Sequence, residues 1–337
     1  MLSDKTILVT GGTGSFGKKF TERVFNNYKP KKLIILSRDE FKQYQMAKKF
    51  SDQKYPIRYF LGDIRDKARL FRAFEGVDYV VHAAALKQVP ALEYNPTEAV
   101  KTNVLGADNI VDAAIDAGVK KVIALSTDKA VNPINLYGAT KLVAEKIFIA
   151  ANAYAGGRVK FAVVRYGNVV GSRGSVIPLF LKFKEQGIQE IPITDIRMTR
   201  FWITLEQGVD LVLTALQESE GGEVFVPKIP SMKLIDVAKT INPDCKFRIV
   251  GIRPGEKIHE SLISEDELRA TKVLNGVYVI IPQFFDKKTH EKYKDCPFVP
   301  GDFIYRSDTN DSWVSAEDLA KMIDEKEDEP VNSKTAD

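Results

Sequence analysis

Tyr137 and Lys141 are the two side chains in this 337-residue sequence whose types and spacing best fit acid–base chemistry. They lie four residues apart at the start of a predicted helix over 137–151, so both project from one face of it. A lysine ammonium beside a phenol favours the phenolate, and we therefore predict that Tyr137 acts as a base near neutral pH. The alternative is an ordinary exposed pair on a helix surface.

Asp128 and Lys129 are a second ionisable pair, and they follow a predicted buried strand over 122–125. Open α/β sheets bind ligands at the carboxyl ends of their parallel strands, so chemistry is expected there. Burial raises the pKa of a carboxyl and lowers that of an amine, so the two residues could share one proton and titrate as a coupled acid and base. The alternative is that Asp128 caps the next helix and Lys129 is solvated.

A glycine-rich turn near the N-terminus predicts a dinucleotide site, because it joins a strand over 6–10 to a segment of helical character over 18–25. Glycines permit the tight turn, let backbone approach a pyrophosphate, and let the helix pack on the strand. An oxidised nicotinamide bound here would add positive charge that further favours a tyrosine phenolate. The residues predicted to bind the pyrophosphate are Gly11, Thr13, Gly14, Ser15, Phe16 and Gly17.

The end of the second predicted strand favours NADP. Folds that prefer NAD carry an acidic residue about 20 residues past the glycines, and this chain has Ser37 and Arg38 there. These side chains, with Lys42 one helical turn further on, can hold a 2′-phosphate. The preference would reverse if an acidic residue at 39–40 turned inward, but we expect both to form the acidic first turn of the next helix.

Later strand ends supply further candidates for the cofactor site. Asp63 and Ile64 are placed to touch the adenine, although Asp63 could instead cap a helix. Small side chains after the fourth strand would let a flat cofactor lie against backbone. Lys87 either reaches a substrate phosphate or hydroxyl or is solvated. The residues assigned here are Asp63, Ile64, Ala83, Ala84, Ala85, Lys87 and Asn103.

Strands and helices alternate through residue 150, which predicts an α/β fold with a doubly wound parallel sheet. We predict a cofactor-binding Rossmann domain over 1–165, to which later segments return, and a smaller, mainly substrate-binding α/β region over 166–285. An irregular C-terminal extension and tail is predicted over 286–337.

Composition narrows the class of protein. No apolar run reaches the ~18 residues of a membrane span, and the N-terminus has no signal-peptide pattern, so we expect a cytoplasmic protein without a membrane partner. The net charge of +4 is small and its charges are interleaved, which suits anionic small molecules rather than nucleic acid. Two cysteines and three histidines without ligand spacing predict no metal. A homo-oligomer is expected.

The chain resembles the extended short-chain dehydrogenase/reductase family over residues 1 to about 285. The motifs that carry this resemblance are Thr10 to Gly17, Asp63-Ile64, His82 to Ala85, Asn103 and Tyr137 to Lys141. Longer motifs are similar to the inverting UDP-N-acetylglucosamine 4,6-dehydratases of pseudaminic acid synthesis. These are Ser126 to Ala130, Arg165 to Ser175, Ile193 to Trp202 and Gly251 to Lys257.

This resemblance implies a dehydratase that forms UDP-2-acetamido-2,6-dideoxy-β-L-arabino-hex-4-ulose with a tightly bound NADP regenerated in each turnover. Elimination of the C6 oxygen is difficult until C4 is a ketone, because only then is the hydrogen on C5 acidic. The implied sequence is oxidation at C4, loss of water across C5–C6 and hydride return to C6. The implied catalytic residues are Thr127, Asp128, Lys129, Tyr137 and Lys141.

Residues beyond 141 are expected to bind the nucleotide sugar. The loop over 168–175 is rich in glycine and small polar residues, as a sugar-binding loop would be, although it could be a plain connection. Arg200 and Arg253 could clamp a diphosphate, or form surface salt bridges. The resemblance adds Val169 to the cofactor site. The substrate-binding residues it implies are Lys87, Tyr137, Asn168, Ile177, Pro178, Thr194, Arg200, Arg253 and Glu256.

Lys129 bears on stereochemistry, because retaining relatives carry Glu after the Asp, and the resemblance therefore implies inversion at C5. One competing function is a nucleotide-sugar 4-epimerase, which uses the same Tyr and Lys but needs no acid and base beside C5. Another is a catalytically silent NADP-binding regulator, which has no need of Tyr137, Lys141 and Asp128 together.

Overall fold

The computed structural model describes residues 1–172, 174–282 and 287–327. Arg173 of the predicted sugar-binding loop and residues 328–337 of the predicted tail lie outside the described residues. The described strands are β1 (Thr6–Thr10), β2 (Lys32–Ser37), β3 (Ile57–Leu61), β4 (Tyr79–His82), β5 (Lys121–Thr127), β6 (Lys160–Tyr166), β7 (Asn168–Val169), β8 (Glu190–Ile193), β9 (Thr199–Ile203), β10 (Val224–Pro227), β11 (Ser231–Lys233), β12 (Lys246–Ile249), β13 (Thr271–Leu274) and β14 (Val277–Ile280).

The described helices alternate with these strands through the first half of the chain. They are α1 (Ser15–Asn27), α2 (Glu40–Lys49), α3 (Lys67–Phe74), α4 (Val89–Tyr94), α5 (Pro96–Ala99), α6 (Gly106–Asp116), α7 (Leu136–Tyr154), α8 (Val176–Glu185), α9 (Leu205–Glu218), α10 (Leu234–Ile241), α11 (Glu265–Leu268), α12 (Lys287–Lys292) and α13 (Ala316–Glu327). A π-helical stretch (Val100–Leu105) joins α5 to α6, and a 3₁₀ turn (Asp128–Ala130) follows β5.

The first of two compact units contains a nine-stranded sheet in the order β13-β14-β10-β6-β5-β4-β1-β2-β3. The strands from β10 to β3 pair in parallel, and β14 is antiparallel to both β10 and β13. All five residues of β1 are buried, as expected for apolar, β-branched strands covered on both faces. The order reverses between β1 and β4, and that switch point is where doubly wound sheets bind ligands.

Helix α7 packs against β5 and β6 and carries the predicted Tyr–Lys pair. The Asn135 side chain caps it by accepting a hydrogen bond from the Gly138 N–H at 2.8 Å. Its buried residues follow helical periodicity and include two ionisable side chains, Lys141 and Glu145. The helix therefore brings charge into the interior of the unit.

The second unit has a separate apolar core and two small sheets, one of order β11-β9-β7 and one in which β12 pairs with β8. Trp202, Phe180 and Val237 are fully or almost fully buried in this core, which α8, α10 and α13 help to form. Among the described residues, the chain reaches this unit three times, through 167–204, 229–260 and 306–327.

The domain boundaries differ from the prediction in two respects. Residues 205–228 and 261–305 belong to the first unit, whereas the sequence placed 166–285 mainly in the substrate-binding region. The region after 286, predicted to be irregular, contains α13, whose Leu319 is fully buried. Across the described ranges, no helix is long and apolar enough to cross a membrane.

Candidate active site

Thr127, Asp128 and Lys129 form the turn at the carboxyl end of β5. The Asp128 side chain is fully buried, and its Oδ1 accepts hydrogen bonds from the Thr127 hydroxyl and the Lys129 ammonium, both at 2.9 Å. Its Oδ2 is buried without a hydrogen-bond donor among the described residues. Because an unsatisfied buried acceptor costs about 1–3 kcal/mol, Oδ2 is placed to accept a hydrogen bond from a ligand.

The geometry of this turn favours the acid–base pair over the alternative of a helix cap and a solvated lysine. Asn135, and not Asp128, caps α7. The Lys129 side chain is only 22% exposed and its ammonium binds the buried carboxylate. The two residues are thus in direct contact, as a shared proton requires.

Gly138 holds α7 against the turn. A Cβ at this position would lie 2.0 Å from the carbonyl oxygen of Lys129, so only glycine permits the observed approach. Tyr137 is the preceding residue, and its phenol interacts with the Thr127 hydroxyl and with the charges of Lys129 and Asp128. One close backbone contact therefore places the predicted base beside the predicted acid–base pair.

The pKa of Tyr137 differs from the prediction. Burial raises it, and the Lys129 charge and the Thr127 hydroxyl oppose that effect without overcoming it. The sequence suggested Lys141 as the cation that lowers this pKa, but Lys129 is the nearby cation that does so here. A phenolate at Tyr137 thus needs more positive charge than these protein groups supply.

Lys141 is buried, with 5% of its surface exposed. Burial lowers its pKa to about 8, and the carboxylate of Glu145 opposes that shift. Among the described residues, its ammonium has no hydrogen bond or ion pair. A buried cation with free donors is suited to binding the hydroxyls of a ligand such as a ribose.

The glycine turn after β1 is shaped to bind a pyrophosphate. Gly11 has φ of +64°, and a Cβ on it would meet the backbone of Ala84 at 2.9 Å. A Cβ on Gly17 would lie 2.3 Å from the carbonyl oxygen of Gly12, so glycine allows α1 to pack on this turn. No side chain caps α1, and an uncapped helix N-terminus after a glycine turn can bind an anion. These residues fit a dinucleotide.

The residues that would select the cofactor lie at the end of β2. Thr13 and Ser37 share a hydrogen bond of 2.9 Å. Asp39 caps α2 by accepting from the Lys42 N–H at 2.9 Å and also pairs with the Lys42 ammonium at 2.6 Å. Arg38 is 56% exposed, and its guanidinium is 3.8 Å from the Asp63 carboxylate. The acidic residue after Arg38 is thus engaged as the cap of α2, one position before the first turn in which it was predicted, and Glu40 lies in that turn.

Asp63, predicted to touch the adenine or to cap a helix, does not cap α3, because Asp66 is the cap. Its carboxylate accepts from the Arg65 backbone and pairs with the Arg65 guanidinium at 2.8 Å. Ile64 is buried at 4% exposure, and its side chain would meet a Cβ on Gly106 at 2.8 Å. Ile64 therefore packs within the unit, while Asp63 stays at the surface.

Asn103 lies in the π-helical stretch and links the loop after β4 to α7. Its amide donates to the Leu86 carbonyl at 2.9 Å and to the Thr140 hydroxyl at 3.1 Å, and its oxygen accepts from the Leu86 N–H at 2.9 Å. The Thr140 hydroxyl donates in turn to the Tyr137 carbonyl at 2.9 Å. Asn103 thus positions the Ala83–Ala85 loop and Tyr137 together, and the sequence did not predict this function.

The predicted substrate residues of the second unit have mixed environments. Asn168 and Val169 form β7, which pairs with β9. Ile177 and Thr194 are buried at 1% and 5% exposure, and the Thr194 hydroxyl contacts the Met198 sulfur at 3.0 Å. Pro178 is partly exposed. The side chain of Ile177 therefore belongs to the core of this unit.

Arg200 and Glu256 come close to each other in the second unit, with guanidinium and carboxylate 3.9 Å apart. The Arg200 guanidinium is buried and donates to the carbonyls of Thr199, Ile258 and Lys257 at 2.7–2.9 Å. Glu256 Oε2 is buried without a hydrogen-bond donor among the described residues. Arg253 is exposed. To bind a diphosphate, Arg200 would have to use guanidinium N–H groups that do not donate to these three carbonyls.

Sequence reasoning missed a buried ion network of Arg165 with Glu145 and Glu267. The available signal was Glu145 itself, a charged residue four positions after Lys141 on the apolar face of α7. The described residues contain no cluster of His, Cys, Asp and Glu suited to a metal ion.

The doubly wound sheet, the glycine turn at its switch point and the Tyr–Lys pair on α7 define an extended short-chain dehydrogenase/reductase. The chain belongs to the family described as polysaccharide biosynthesis protein, whose pattern matches residues 7–282.

Individual relatives support the same assignment. The UDP-N-acetylglucosamine 4,6-dehydratase (inverting) of Campylobacter jejuni subsp. jejuni serotype O:2 is 52% identical over 340 residues, which cover 97% of this chain and 99% of the relative. A UDP-glucose 4-epimerase of Rickettsia akari is 46% identical and covers 83% of this chain and 84% of its own. The X-ray structure of Pen from Bacillus thuringiensis superposes with a TM-score of 0.88 at 38% identity, covering 97% and 99% of the two chains. The resemblance drawn from the motifs is confirmed.

Proposed function

We propose that the protein is an NADP-dependent UDP-N-acetylglucosamine 4,6-dehydratase that inverts C5. The observation that carries this proposal is the Asp128–Lys129 pair, 2.9 Å apart and held beside Tyr137 by the close approach at Gly138. Elimination of water across C5–C6 needs an acid and a base there in addition to the group that deprotonates the C4 hydroxyl. The 52% identical relative that bears this enzyme name supports the same function.

The residues divide the reaction between them. Tyr137 takes the proton of the C4 hydroxyl, and Lys141 binds the ribose next to the nicotinamide. A nicotinamide cofactor held by the glycine turn and Lys141 would supply the reversible hydride transfer that C4 and C6 require, and its oxidised ring would supply the positive charge that Tyr137 lacks in the protein alone. Lys129 removes the hydrogen on C5, and Asp128 gives a proton to the departing C6 oxygen. After hydride addition at C6, a proton adds to C5 from the opposite face, and this step inverts C5.

Cofactor preference follows from the end of β2. We propose that Arg38 binds the 2′-phosphate of NADP, because its guanidinium is exposed and the adjacent Asp39 is engaged by the N-terminus of α2. The proposed contacts of the UDP-sugar with Asn168, Arg200, Arg253 and Glu256 rest on the motifs of the second unit.

A 4-epimerase is the second candidate, because a relative with that name is 46% identical. It predicts a product of unchanged mass, whereas the dehydratase predicts loss of one water. Incubation of the purified protein with UDP-N-acetylglucosamine, followed by mass spectrometry, separates the two. A product of unchanged mass, or no product, would overturn the proposed dehydratase function.

A further inference from the structure

Arg165 at the end of β6 forms a buried ion network that the proposed reaction does not use. Its side chain is 2% exposed, and that of Glu145 on α7 is 3% exposed. The Nε and one terminal nitrogen donate to the two Glu145 oxygens at 3.2 and 2.7 Å. Glu267 on α11 accepts two further bonds at 2.9 Å, and the Leu262 carbonyl accepts one at 2.9 Å.

Five hydrogen bonds match the five N–H groups of a guanidinium, so Arg165 has no donor to spare. Isolated buried ions are costly, and removing one partner of such a network leaves an uncompensated charge. The proximity of both carboxylates raises the pKa of Arg165 despite its burial. With one cation and two anions, the network carries a net charge of −1.

One member of this network, Glu145, lies one helical turn from Lys141 on α7. Glu145 is four residues after Lys141, and both side chains are on the buried face of α7. Tyr137, Lys141 and Glu145 thus occupy successive turns of one face. Both Glu145 oxygens accept hydrogen bonds from Arg165, and the carboxylate acts on the Lys141 ammonium through its charge.

The other titratable groups around α7 act elsewhere. His82 faces Lys141 from β4, but burial and the lysine charge lower its pKa to about 3, so it is neutral. Asp128 and Lys129 act on Tyr137. Tyr166 of β6 also couples to Tyr137, and burial raises its pKa. Glu145 is therefore the charged side chain that acts on Lys141.

We propose that Arg165 is a positioning residue for Lys141: it binds both oxygens of Glu145, fixes how strongly that carboxylate acts on the lysine ammonium, and anchors the helix that carries Tyr137. The effect of Arg165 on Lys141 does not depend on which reaction the protein catalyses and can be measured without substrate. The consequence for catalysis rests on the proposed function, in which Lys141 assists Tyr137.

The test measures the pKa of Lys141 by NMR titration of the full-length protein labelled with ¹³C-lysine, without substrate. The Lys141 signal is assigned by its loss in Lys141→Arg. Glu145→Gln keeps the shape but removes the charge, so the pKa should fall by about one unit. Arg165→Lys cannot hold both carboxylates in a fork, so Glu145 is released towards Lys141 and the pKa should rise.

Two controls separate charge from structure. Glu145→Asp retains the charge and should keep the pKa nearer the parental value than Glu145→Gln does. Glu267→Gln removes an equal charge from the same network but on another element, and it should shift the pKa less than Glu145→Gln. If the network served only the stability of the fold, the two variants would not shift the pKa of Lys141 in opposite directions. A shift of this pKa in the same direction in Glu145→Gln and Arg165→Lys, or no shift in either, would therefore overturn the proposal.

If Glu145→Gln fails to fold, Arg165→Lys decides alone, because an unchanged or lowered pKa of Lys141 in that variant contradicts the proposal. The pH profile of nicotinamide reduction gives a second measurement, whose alkaline limb should move with the NMR value in each variant. The product mass described above tests the dehydratase function separately, so the two proposals can fail independently.

Discussion

Replacing Gly138 by alanine tests whether the contact between α7 and the turn after β5 creates the site. The new Cβ would lie 2.0 Å from the Lys129 carbonyl oxygen, and real Cβ atoms essentially never come within 3.0 Å of a neighbour. The helix and the turn must therefore separate by about 1 Å, the difference between these two distances. That displacement falls between Tyr137 and the Asp128–Lys129 pair.

The expected loss is much larger in rate than in stability. A misplacement of about 1 Å between reacting groups can cost about 100-fold in rate, which is about 2.7 kcal/mol of transition-state stabilisation. Overpacking costs about 1–3 kcal/mol, but alanine gains about 1 kcal/mol of helix propensity over glycine. The free energy of unfolding should thus fall by only about 0–2 kcal/mol.

Gly208 on α9 provides the matched control, because it is also a buried helical glycine but a Cβ there meets nothing within 4 Å. Both variants are compared by kcat for water loss from UDP-N-acetylglucosamine and by denaturant unfolding. Gly208→Ala should keep the parental kcat. A Gly138→Ala enzyme with parental kcat would refute the argument, and so would an equal loss of kcat in Gly208→Ala.

Four further predictions concern the proposed chemistry. Arg38→Ala should weaken NADP about tenfold to a hundredfold more than NAD, since a charge-assisted hydrogen bond is worth about 1.5–3 kcal/mol; equal losses measured by calorimetry would refute NADP preference. Tyr137→Phe should abolish turnover, whereas Lys129→Ala should stop water loss and leave nicotinamide reduction detectable by stopped-flow absorbance; dehydration at the parental rate in Lys129→Ala would exclude Lys129 as the base. Reaction in deuterated water should place deuterium at C5 and give the L-arabino sugar at early times by proton NMR, and a first-formed D-xylo product would contradict inversion. Because the pKa of Lys141 is about 8, nicotinamide reduction should decline as pH rises through about 8, and Lys141→Arg should lack this limb; a parental enzyme without an alkaline decline would count against a protonated Lys141.

Local sequence patterns predicted the elements that position the site. The bounds of β1 are as predicted, and α7 extends the predicted helix over 137–151 by one residue at its N-terminus and three at its C-terminus. Buried parallel strands are short apolar runs between turn residues, and an amphipathic helix shows its period over several turns, so a single segment contains the information. Because alternating strands and helices form a parallel sheet, the position of the site at the carboxyl ends of the strands also follows from the sequence.

Properties that depend on distant segments were not predictable in this way. The pKa of Tyr137 depends on how completely the chain buries its phenol, which no spacing reveals. Arg165 meets Glu267 across 102 residues of sequence, through a segment that returns to the first unit after most of the second. The close approach at Gly138 is likewise a contact between two elements, although both of them lay within recognisable motifs.

The charges around Tyr137 have a consequence for how the Lys129 variant must be interpreted. Lys129 is the cation that opposes the effect of burial on the phenol, while the Asp128 carboxylate beside it raises the pKa of Tyr137. Removal of the lysine charge leaves that carboxylate uncompensated, so the pKa of Tyr137 should rise further in Lys129→Ala. At pH values below the one at which Lys141 loses its proton, nicotinamide reduction should then be slower than in the parental enzyme and rise with pH, whereas water loss should not recover at any pH. Two steps that share one residue would in this way be separated by their pH dependence.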